Sequence, residues 1–302
     1  MYLGFNLGLS KKFPSAGGGG GGGGPDVYAS WATTGTATAV TGYTYASALN
    51  GTDIAILQSG VNKLETYRWG GSSFSLVGNS LTDAKAGPSG IVKLTTTRVA
   101  VMDQGANDIE AYDFDGTDWS SAATAQSLTI TNYPDASYLA DNEFVLINNG
   151  TMQSYTYSAG TFSTKGNSLA LTGDYQKVTA LTSTRVAVHD VSVAGDTLKI
   201  YDFDGTDWAQ VGNTYVTGSN KAGSFGIEAL SSTQFVYWDG ASTAATIQTM
   251  TFDGTNITTQ GSSSSLTGAA SWPRTIAKMS STLIVYTSFG DADFRAAEAT
   301  LS

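Results

Sequence analysis

This chain of 302 residues has few of the side chains that usually carry catalysis or bind metals. It contains no cysteine and a single histidine, His189. A disulfide framework or a thiolate metal site therefore cannot form, and neither a histidine-based metal cage nor a Ser-His-Asp triad has support. The sequence predicts no catalytic residue, no metal site and no cofactor. We expect a protein that is not an enzyme.

Polar residues recur at the end of one apolar strand in each copy of a repeated segment. Three copies have an acid there and three have a neutral polar residue: Asp103, Asp190, Asp239, Gln58, Asn148 and Ser288. These side chains could form a ring around a cation, or each could cap the loop that follows its strand. Calcium sites usually gather their acids within one loop, and no Asp-x-Asp-x-Asp-Gly loop occurs. Loop capping is therefore favoured.

Aromatic residues stand beside acids, amides or arginines in the segments that vary most between the copies. Rings next to polar groups, on variable loops of a rigid scaffold, suit recognition of a saccharide or a protein. The alternative for each ring is packing between neighbouring units of the fold. The candidate binding residues are Tyr133, Asp135, Tyr175, Phe225, Trp238, Asp239, Trp272 and Arg274.

A recurring β-hairpin must position these loops. Residues Tyr201–Trp208 read Tyr-Asp-Phe-Asp-Gly-Thr-Asp-Trp, and Tyr112–Trp119 repeat the same eight residues. Glycine supplies the positive φ that a two-residue primed turn needs, and alternating aromatics flank the Asp-Gly pair. The sequence predicts a tight turn at Asp204–Gly205, with positive φ at Gly116 and Gly205.

A second marker defines the repeat. A leucine or methionine, a short polar turn and an apolar strand precede each hairpin, starting at Leu49, Leu94, Leu139, Leu181, Leu230 and Met279. The spacing of roughly 42 to 49 residues is that of four-stranded propeller blades. The sequence predicts an all-β fold, a six-bladed β-propeller whose blades each have strands a to d. The variable loops then join strand b to c and strand d to the next a.

The last copy lacks a strand d, and the start of the chain supplies one. Trp31-Ala-Thr-Thr-Gly35 matches Trp208-Ala-Gln-Val-Gly212 in the spacing of tryptophan and glycine. A strand from Trp31 to Thr41 should therefore complete the last blade, which leaves no unpaired radial edge. Residues 27–302 are predicted to form one propeller domain.

Two further segments precede the propeller. Residues 1–16 begin with an apolar run, and residues 17–26 contain eight consecutive glycines closed by Pro25. Lys11 and Lys12 follow the apolar run, whereas a secretory signal has its basic residues first. Residues 1–16 are either a disordered tail or a docking peptide that adds a strand to a partner. The attachment residues would be Tyr2, Leu3, Phe5, Leu7 and Leu9, with the glycines as an extended spacer.

Charge and hydropathy exclude two classes of partner. The formal net charge of −10 argues against binding to a nucleic-acid backbone, which needs clustered lysine and arginine. No apolar run is long enough to span a bilayer, so membrane insertion is not expected.

The repeat resembles a known group of proteins. The unit Thr184–Asn213 is similar to the tandem propeller repeats of bacterial and phage surface proteins, related to the kelch and FG-GAP repeats. The start of the chain, rich in glycine and leucine and followed by polyglycine, resembles the attachment segments of bacteriophage tail fibres and tail-tip proteins. The resemblance implies a structural protein on the exterior of a virion. It would attach to other virion proteins through residues 1–16, bind a host-surface glycan or receptor, and be oligomeric in the particle.

Two alternatives stay open at this stage. A capsid decoration or head-fibre protein would have the same sequence features, and a secreted glycan-active enzyme could use the same scaffold. The Asp-Gly-Thr turns superficially resemble the Asp-boxes of sialidases, but here the aspartate directly precedes the glycine, as a turn requires. An enzyme would need paired carboxylates that converge in the central funnel.

Overall fold

The described part of the chain consists of β-strands joined by turns and loops. A computed structural model describes residues 26–131, 134–172, 175–191, 195–217, 226–239, 246–266, 273–288 and 292–301. Over these ranges no helix is long and apolar enough to cross a membrane. The predicted boundary between anchor and spacer, and the attachment residues Tyr2, Leu3, Phe5, Leu7 and Leu9, lie outside the described residues.

Six antiparallel sheets form the blades of a six-bladed β-propeller, as predicted. The first strand is β1 (Tyr28–Ala39). Blade 1 contains β2 (Thr44–Ala48), β3 (Asp53–Gln58), β4 (Lys63–Trp69) and β5 (Phe74–Leu81). Blade 2 contains β6 (Pro88–Thr95), β7 (Arg98–Asp103), β8 (Asp108–Phe114), β9 (Trp119–Ser121) and β10 (Gln126–Ser127). Blade 3 contains β11 (Asp135–Ala140), β12 (Glu143–Asn148), β13 (Thr151–Ser158) and β14 (Thr161–Ala170). Blade 4 contains β15 (Tyr175–Thr182), β16 (Arg185–Val191), β17 (Thr197–Phe203) and β18 (Trp208–Val216). Blade 5 contains β19 (Ile227–Ala229), β20 (Gln234–Asp239), β21 (Thr246–Phe252) and β22 (Ile257–Ser264). Blade 6 contains β23 (Pro273–Lys278), β24 (Leu283–Ser288) and β25 (Asp293–Leu301).

The strand β1 closes the ring, which confirms the predicted role of the N-terminal strand. It is the outer strand of blade 6, where the order is β1-β25-β24-β23. Trp31 lies opposite Ala299, and its indole Nε1 donates a hydrogen bond of 2.9 Å to Thr249 Oγ1 in blade 5. Its main-chain N–H donates to Ser264 Oγ, also in blade 5, at 2.9 Å. The strand therefore both completes one blade and connects it to the previous one.

The hydrophobic core consists of layers between neighbouring blades. Six buried clusters each combine side chains from two adjacent blades, so every strand b is covered on both faces. In the layer that joins blade 6 to blade 1, Phe294 contacts Tyr67 and Phe74 with ring centroids 5.0 Å apart in each case. Apolar burial thus continues around the whole ring, including the non-covalent junction.

The hairpin turn between strands c and d lies one residue further along than predicted. Asp204 N–H donates to Asp207 O at 3.1 Å, so Gly205 and Thr206 occupy the corners. Only Gly205 has a positive φ there, +103°, and Gly116 matches it at +102°. Asp204 Oδ1 instead accepts hydrogen bonds from the N–H groups of Thr206 (2.7 Å) and Asp207 (2.8 Å). The N–H groups of Asp207 and Thr206 lower the pKa of Asp204, which acts as a cap of the turn.

A Gly-Asn pair in the outer strand joins a blade to the next one. Gly78 has φ +69°, and a Cβ atom there would lie 2.0 Å from Thr117 O of blade 2. Asn79 N–H donates to the same carbonyl at 2.7 Å, and Asn79 Nδ2 donates to Asp118 Oδ1 at 2.8 Å. Blades 3 and 4 make equivalent contacts through Gly166, Asn167, Gly212 and Asn213. Blades 5 and 6 keep only the glycine, as Gly261 and Gly35, whereas blade 2 has Ala123 at this position and an outer strand that is split into β9 and β10.

Candidate functional site

The inner strands of all six blades line a central channel. Residues from β2, β6, β11, β15, β19 and β23 surround a cavity of ≈ 450 Å³. It extends from Pro134, just before β11, to Ser231 and Ser232 in the turn after β19. Because strand a is the edge of each blade, its outward N–H groups need partners other than a fifth strand.

Side chains from one blade supply partners to the inner strand of the next. Ser137 Oγ accepts from Ala180 N–H at 2.9 Å, and Thr179 Oγ1 accepts from Ala229 N–H at 2.8 Å. Glu228 Oε1 accepts from the N–H of Lys278, in the last blade, at 3.1 Å. Ser137, Thr179 and Glu228 hold the same position in blades 3, 4 and 5, two residues before the Leu marker. This position therefore has a structural role that repeats around the channel.

Two carboxylates line the same channel. Asp135 begins β11, where its Oδ2 accepts from Val178 N–H at 2.8 Å and its Oδ1 pairs with Lys177 Nζ at 3.4 Å. Burial raises the pKa of Asp135 despite the opposing charge of Lys177.

Glu228, from blade 5, is the more strongly perturbed acid. Burial, with a contribution from Asp135, raises the pKa of Glu228 to about 7, against the stabilising effect of Lys278. Over the described residues, no group of three His, Asp or Glu side chains could hold a metal ion. The arrangement is an acid pair in a channel, and both acids also bind main-chain N–H groups of the next blade.

Among the polar residues at the ends of strands b, Asp103 caps the loop that follows its strand, as the sequence analysis favoured, whereas Asp190 pairs with Lys199 Nζ at 3.1 Å in its own blade. Asp103 Oδ1 accepts from Gly105 N–H (2.6 Å) and Ala106 N–H (3.0 Å). Asn148 Oδ1 accepts from Thr131 N–H at 2.9 Å, so this residue ties the preceding d–a loop to its strand. The side chains of Asp239 and Ser288, at the same repeat position, are not described.

The structure separates the predicted binding residues. Asp135 lies on the channel wall. Trp238 lies within β20 and is fully buried, with its ring centroid 5.7 Å from that of Tyr286, which corrects the expectation that it belongs to a binding surface. Tyr175 begins β15, Asp239 ends β20 and Arg274 is in β23, but their side chains are not described. Tyr133, Phe225 and Trp272 lie outside the described residues.

Two exposed apolar residues lie on the face of the b–c and d–a loops. Tyr43, between β1 and β2, is 42% exposed, and Val61, in the b–c loop of blade 1, is 39% exposed. Ser59 N–H donates to Tyr43 O at 2.8 Å, which holds the two loops together. Neither residue is among the candidate binding residues of the sequence analysis, and a lone valine in a Ser-Gly-Val-Asn loop has no distinguishing signal.

The chain enters the propeller on the opposite face. Asp26 O accepts hydrogen bonds from Gln234 Nε2 and, at 3.0 Å, from Gln260 Nε2. Tyr28 is opposite Leu301, at the end of β25, and its hydroxyl donates to Ser281 O in an a–b turn at 2.8 Å. Asp26, where the described chain begins, therefore lies at the face of the a–b and c–d turns.

Comparison with known proteins identifies the fold. No protein-family model matches the sequence, and no curated protein does. A protein of unknown function from Bacteroides thetaiotaomicron is similar in structure, with a TM-score of 0.61 and 9% identity over 91% of this chain and 75% of that chain. The six-bladed fucose-binding lectin of the fungus Aleuria aurantia has a TM-score of 0.59 and 13% identity over 92% and 96%. A streptogramin B lyase has a TM-score of 0.54 and 10% identity over 89% and 97%. At these identities the similarity shows the fold alone.

Proposed function

We propose that this chain is a non-enzymatic display protein of a bacteriophage virion, of the tail-fibre or tail-tip type. Residues 1–16 attach it to other virion proteins, the glycine spacer separates it from them, and the b–c/d–a face binds a host-surface glycan or receptor. The observation that carries the proposal is that the two faces of the propeller differ. Asp26 lies at one face, and the described b–c and d–a loops, including the loop of Tyr43, lie on the other.

The two exposed residues on the distal face support a recognition role. Tyr43 and Val61 are each more than a third exposed, so each can pack against the apolar face of a sugar or a protein side chain. Every blade interface is packed, so the strands that carry the loops have fixed relative positions. The fold of the fungal lectin is compatible with this role but does not assign it.

A second candidate is a glycan-active enzyme, because Asp135 and Glu228 line one channel. Glycoside hydrolysis uses a pair of carboxyl groups with different pKa values. Each of these acids, however, accepts a main-chain hydrogen bond from the next blade, at 2.8 Å and 3.1 Å, and so has a structural role. The display function is therefore preferred. A capsid decoration protein would differ only in its place on the particle.

The test separates attachment from binding. Deletion of residues 1–16 should abolish incorporation into particles and leave the melting temperature of the propeller unchanged. Replacing Tyr43, Tyr133 and Trp272 together by alanine should leave incorporation intact and reduce adsorption to host cells or their purified surface polysaccharide. Leu76→Ala, which removes an exposed apolar side chain from an outer strand, is the matched control. Release of reducing sugar by the purified propeller, abolished in Glu228→Gln, would instead establish the enzyme.

A further inference from the structure

The lysines of the described chain fall into two groups. Five form ion pairs with carboxylates: Lys63, Lys85, Lys165, Lys177 and Lys199. Over the described residues, the other two, Lys93 and Lys278, have no carboxylate oxygen within ion-pair distance. Both line the central channel. In a protein with a net charge of −10, the two described lysines without a carboxylate oxygen at ion-pair distance thus line one cavity.

The two lysines hold equivalent positions near one mouth of the channel. Each is the residue before the Leu or Met marker, in blades 2 and 6. Lys93 Nζ lies 4.8 Å above the ring of Tyr138 in blade 3, and Lys278 Nζ donates to Leu230 O of blade 5 at 2.5 Å. At this position blades 1, 4 and 5 have Ala48, Ala180 and Ala229, and blade 3 has Tyr138. All four residues line the cavity. Three of the six positions therefore have small side chains, which leave more of the cavity open than longer side chains would.

These ammonium groups favour an anion. A charge held away from bulk water is unfavourable unless a counter-charge or hydrogen bonds compensate it. Burial lowers the pKa of Lys93, and the charge of Asp141 opposes this shift only in part. Glu228 is the acid that interacts with Lys278, but its pKa of about 7 leaves it only partly charged in neutral solution.

Hydroxyl groups line the cavity beside the lysines. Ser47, Ser137 and Thr179 come from the inner strands, and Ser231 and Ser232 lie at the mouth. Hydroxyls donate and accept hydrogen bonds, so they suit the alcohol groups of a ligand. A cavity of ≈ 450 Å³ is within the usual range for a small-molecule site.

We propose that the central channel binds a small sugar acid, with its carboxylate between Lys93 and Lys278 and its hydroxyls against the serine and threonine side chains. This site is distinct from the loop face of the proposed function and does not depend on it. Loss of channel binding with normal adsorption to host cells would reject only the channel site, and the reverse result would reject only the display role.

The experiment uses the full chain and calorimetric titration with free galacturonate as the probe. Galactose tests the need for the carboxylate, and inorganic phosphate tests the need for the hydroxyls. Lys93→Met and Lys278→Met should each weaken galacturonate binding about tenfold or more, and Lys93→Arg should retain most of it. Lys165→Met, which alters a lysine on an outer strand, is the matched control and should bind as the wild type does.

The outcomes are decisive in each arm. Galacturonate binding that depends on both channel lysines, with galactose and phosphate each about tenfold weaker, supports the proposal. Equal binding of galactose or of phosphate overturns it, as does galacturonate binding that survives both Lys→Met changes. No galacturonate binding to a wild-type chain with an intact thermal transition also overturns it. Binding of polygalacturonate without binding of the free acid would indicate an outer surface instead of the channel and would overturn it too.

Discussion

Removing the hydroxyl of Thr249 should weaken the junction at which the N-terminal strand closes the ring. Trp31 Nε1 donates to Thr249 Oγ1 at 2.9 Å, and the two residues are only 4% and 2% exposed. Thr249→Val keeps the shape and leaves the indole N–H buried without its acceptor. Leaving one buried donor unsatisfied costs about 1–3 kcal/mol of unfolding free energy. In a Trp31→Phe background the same change should cost close to nothing, because phenylalanine has no N–H.

The assay is a double-mutant cycle measured by urea unfolding with far-ultraviolet circular dichroism. The cycle should give a coupling energy of about 1–2 kcal/mol. Thr66→Val with Trp119→Phe is the matched control, since Trp119 Nε1 donates to Thr66 Oγ1 at 3.0 Å between covalently continuous blades 1 and 2. Similar coupling in both cycles would mean that the non-covalent junction is as well formed as the others. A cost of Thr249→Val that is the same in the wild-type chain and in the Trp31→Phe background would refute the reasoning.

Three other changes test the packing and the channel. Ser154 occupies the position of Thr66 and Thr249, but neither its Oγ nor the Nε1 of Trp208 has a hydrogen-bond partner. Ser154→Thr should form the bond between Trp208 Nε1 and a threonine Oγ1 that the equivalent positions have. It should raise the unfolding free energy by about 1 kcal/mol, measured by urea unfolding. Gly205→Ala, where a Cβ meets nothing within 4 Å, should cost about 1 kcal/mol from its positive φ, whereas Gly166→Ala should cost more because its Cβ would lie 2.4 Å from Thr206 O. Glu228 has a folded-state pKa raised to about 7, so the stability it contributes is full below about pH 4.5 and is lost as the pH rises through 7. Glu228→Gln should reduce this loss of stability with rising pH, which is at most about 3 kcal/mol, as measured by melting curves from about pH 5 to 8. The same pH dependence of stability in the variant would contradict the raised pKa of Glu228. Asp135, Lys278 and Thr179 also contribute to that pKa.

The fold could be predicted because its signals are local and repeated. Each blade carries its own marker residue, five of the six also carry the c–d turn, and the copies fix the phase of one another. Closure by β1 was readable from the Trp31–Gly35 spacing, since the missing strand has to present the same residues as its equivalents. The turn was misplaced by one residue because the carboxylate of Asp204 binds the N–H groups that the main chain would otherwise pair.

The site was less predictable because it depends on where a strand ends. Trp238 was assigned to a loop, but β20 continues to Asp239, and a strand b is covered by a blade on both faces. Lys93, Glu228 and Lys278 were not singled out, since the sequence alone does not show which inner-strand residues meet in the channel. Alignment on the marker leucine would have found the two lysines at one repeat position.

The Gly-Asn pairs of the outer strands were also missed as contacts between blades. The glycine of Trp208–Gly212 was recognised by its spacing alone, and its role follows from a distance: a Cβ at Gly212 would lie 2.4 Å from Thr255 O of blade 5. Contacts of this kind join residues about 40 positions apart, as between Asn213 and Asn256, so no local pattern reveals them. Blade 2 has Ala123 in place of this glycine, and it is also the blade whose outer strand is interrupted.

The most direct test of the display function compares the two faces of one blade on the assembled particle. Thr96 is exposed in the a–b turn of blade 2, and Ala106 is exposed in its b–c loop. The chain has no cysteine, so Thr96→Cys or Ala106→Cys gives a single attachment point for a polyethylene glycol maleimide. We predict that the polymer at residue 106 blocks adsorption of the particle to host cells, whereas the polymer at residue 96 leaves adsorption intact. Equal adsorption with both labels, or a block by the label at residue 96 alone, would contradict the display function.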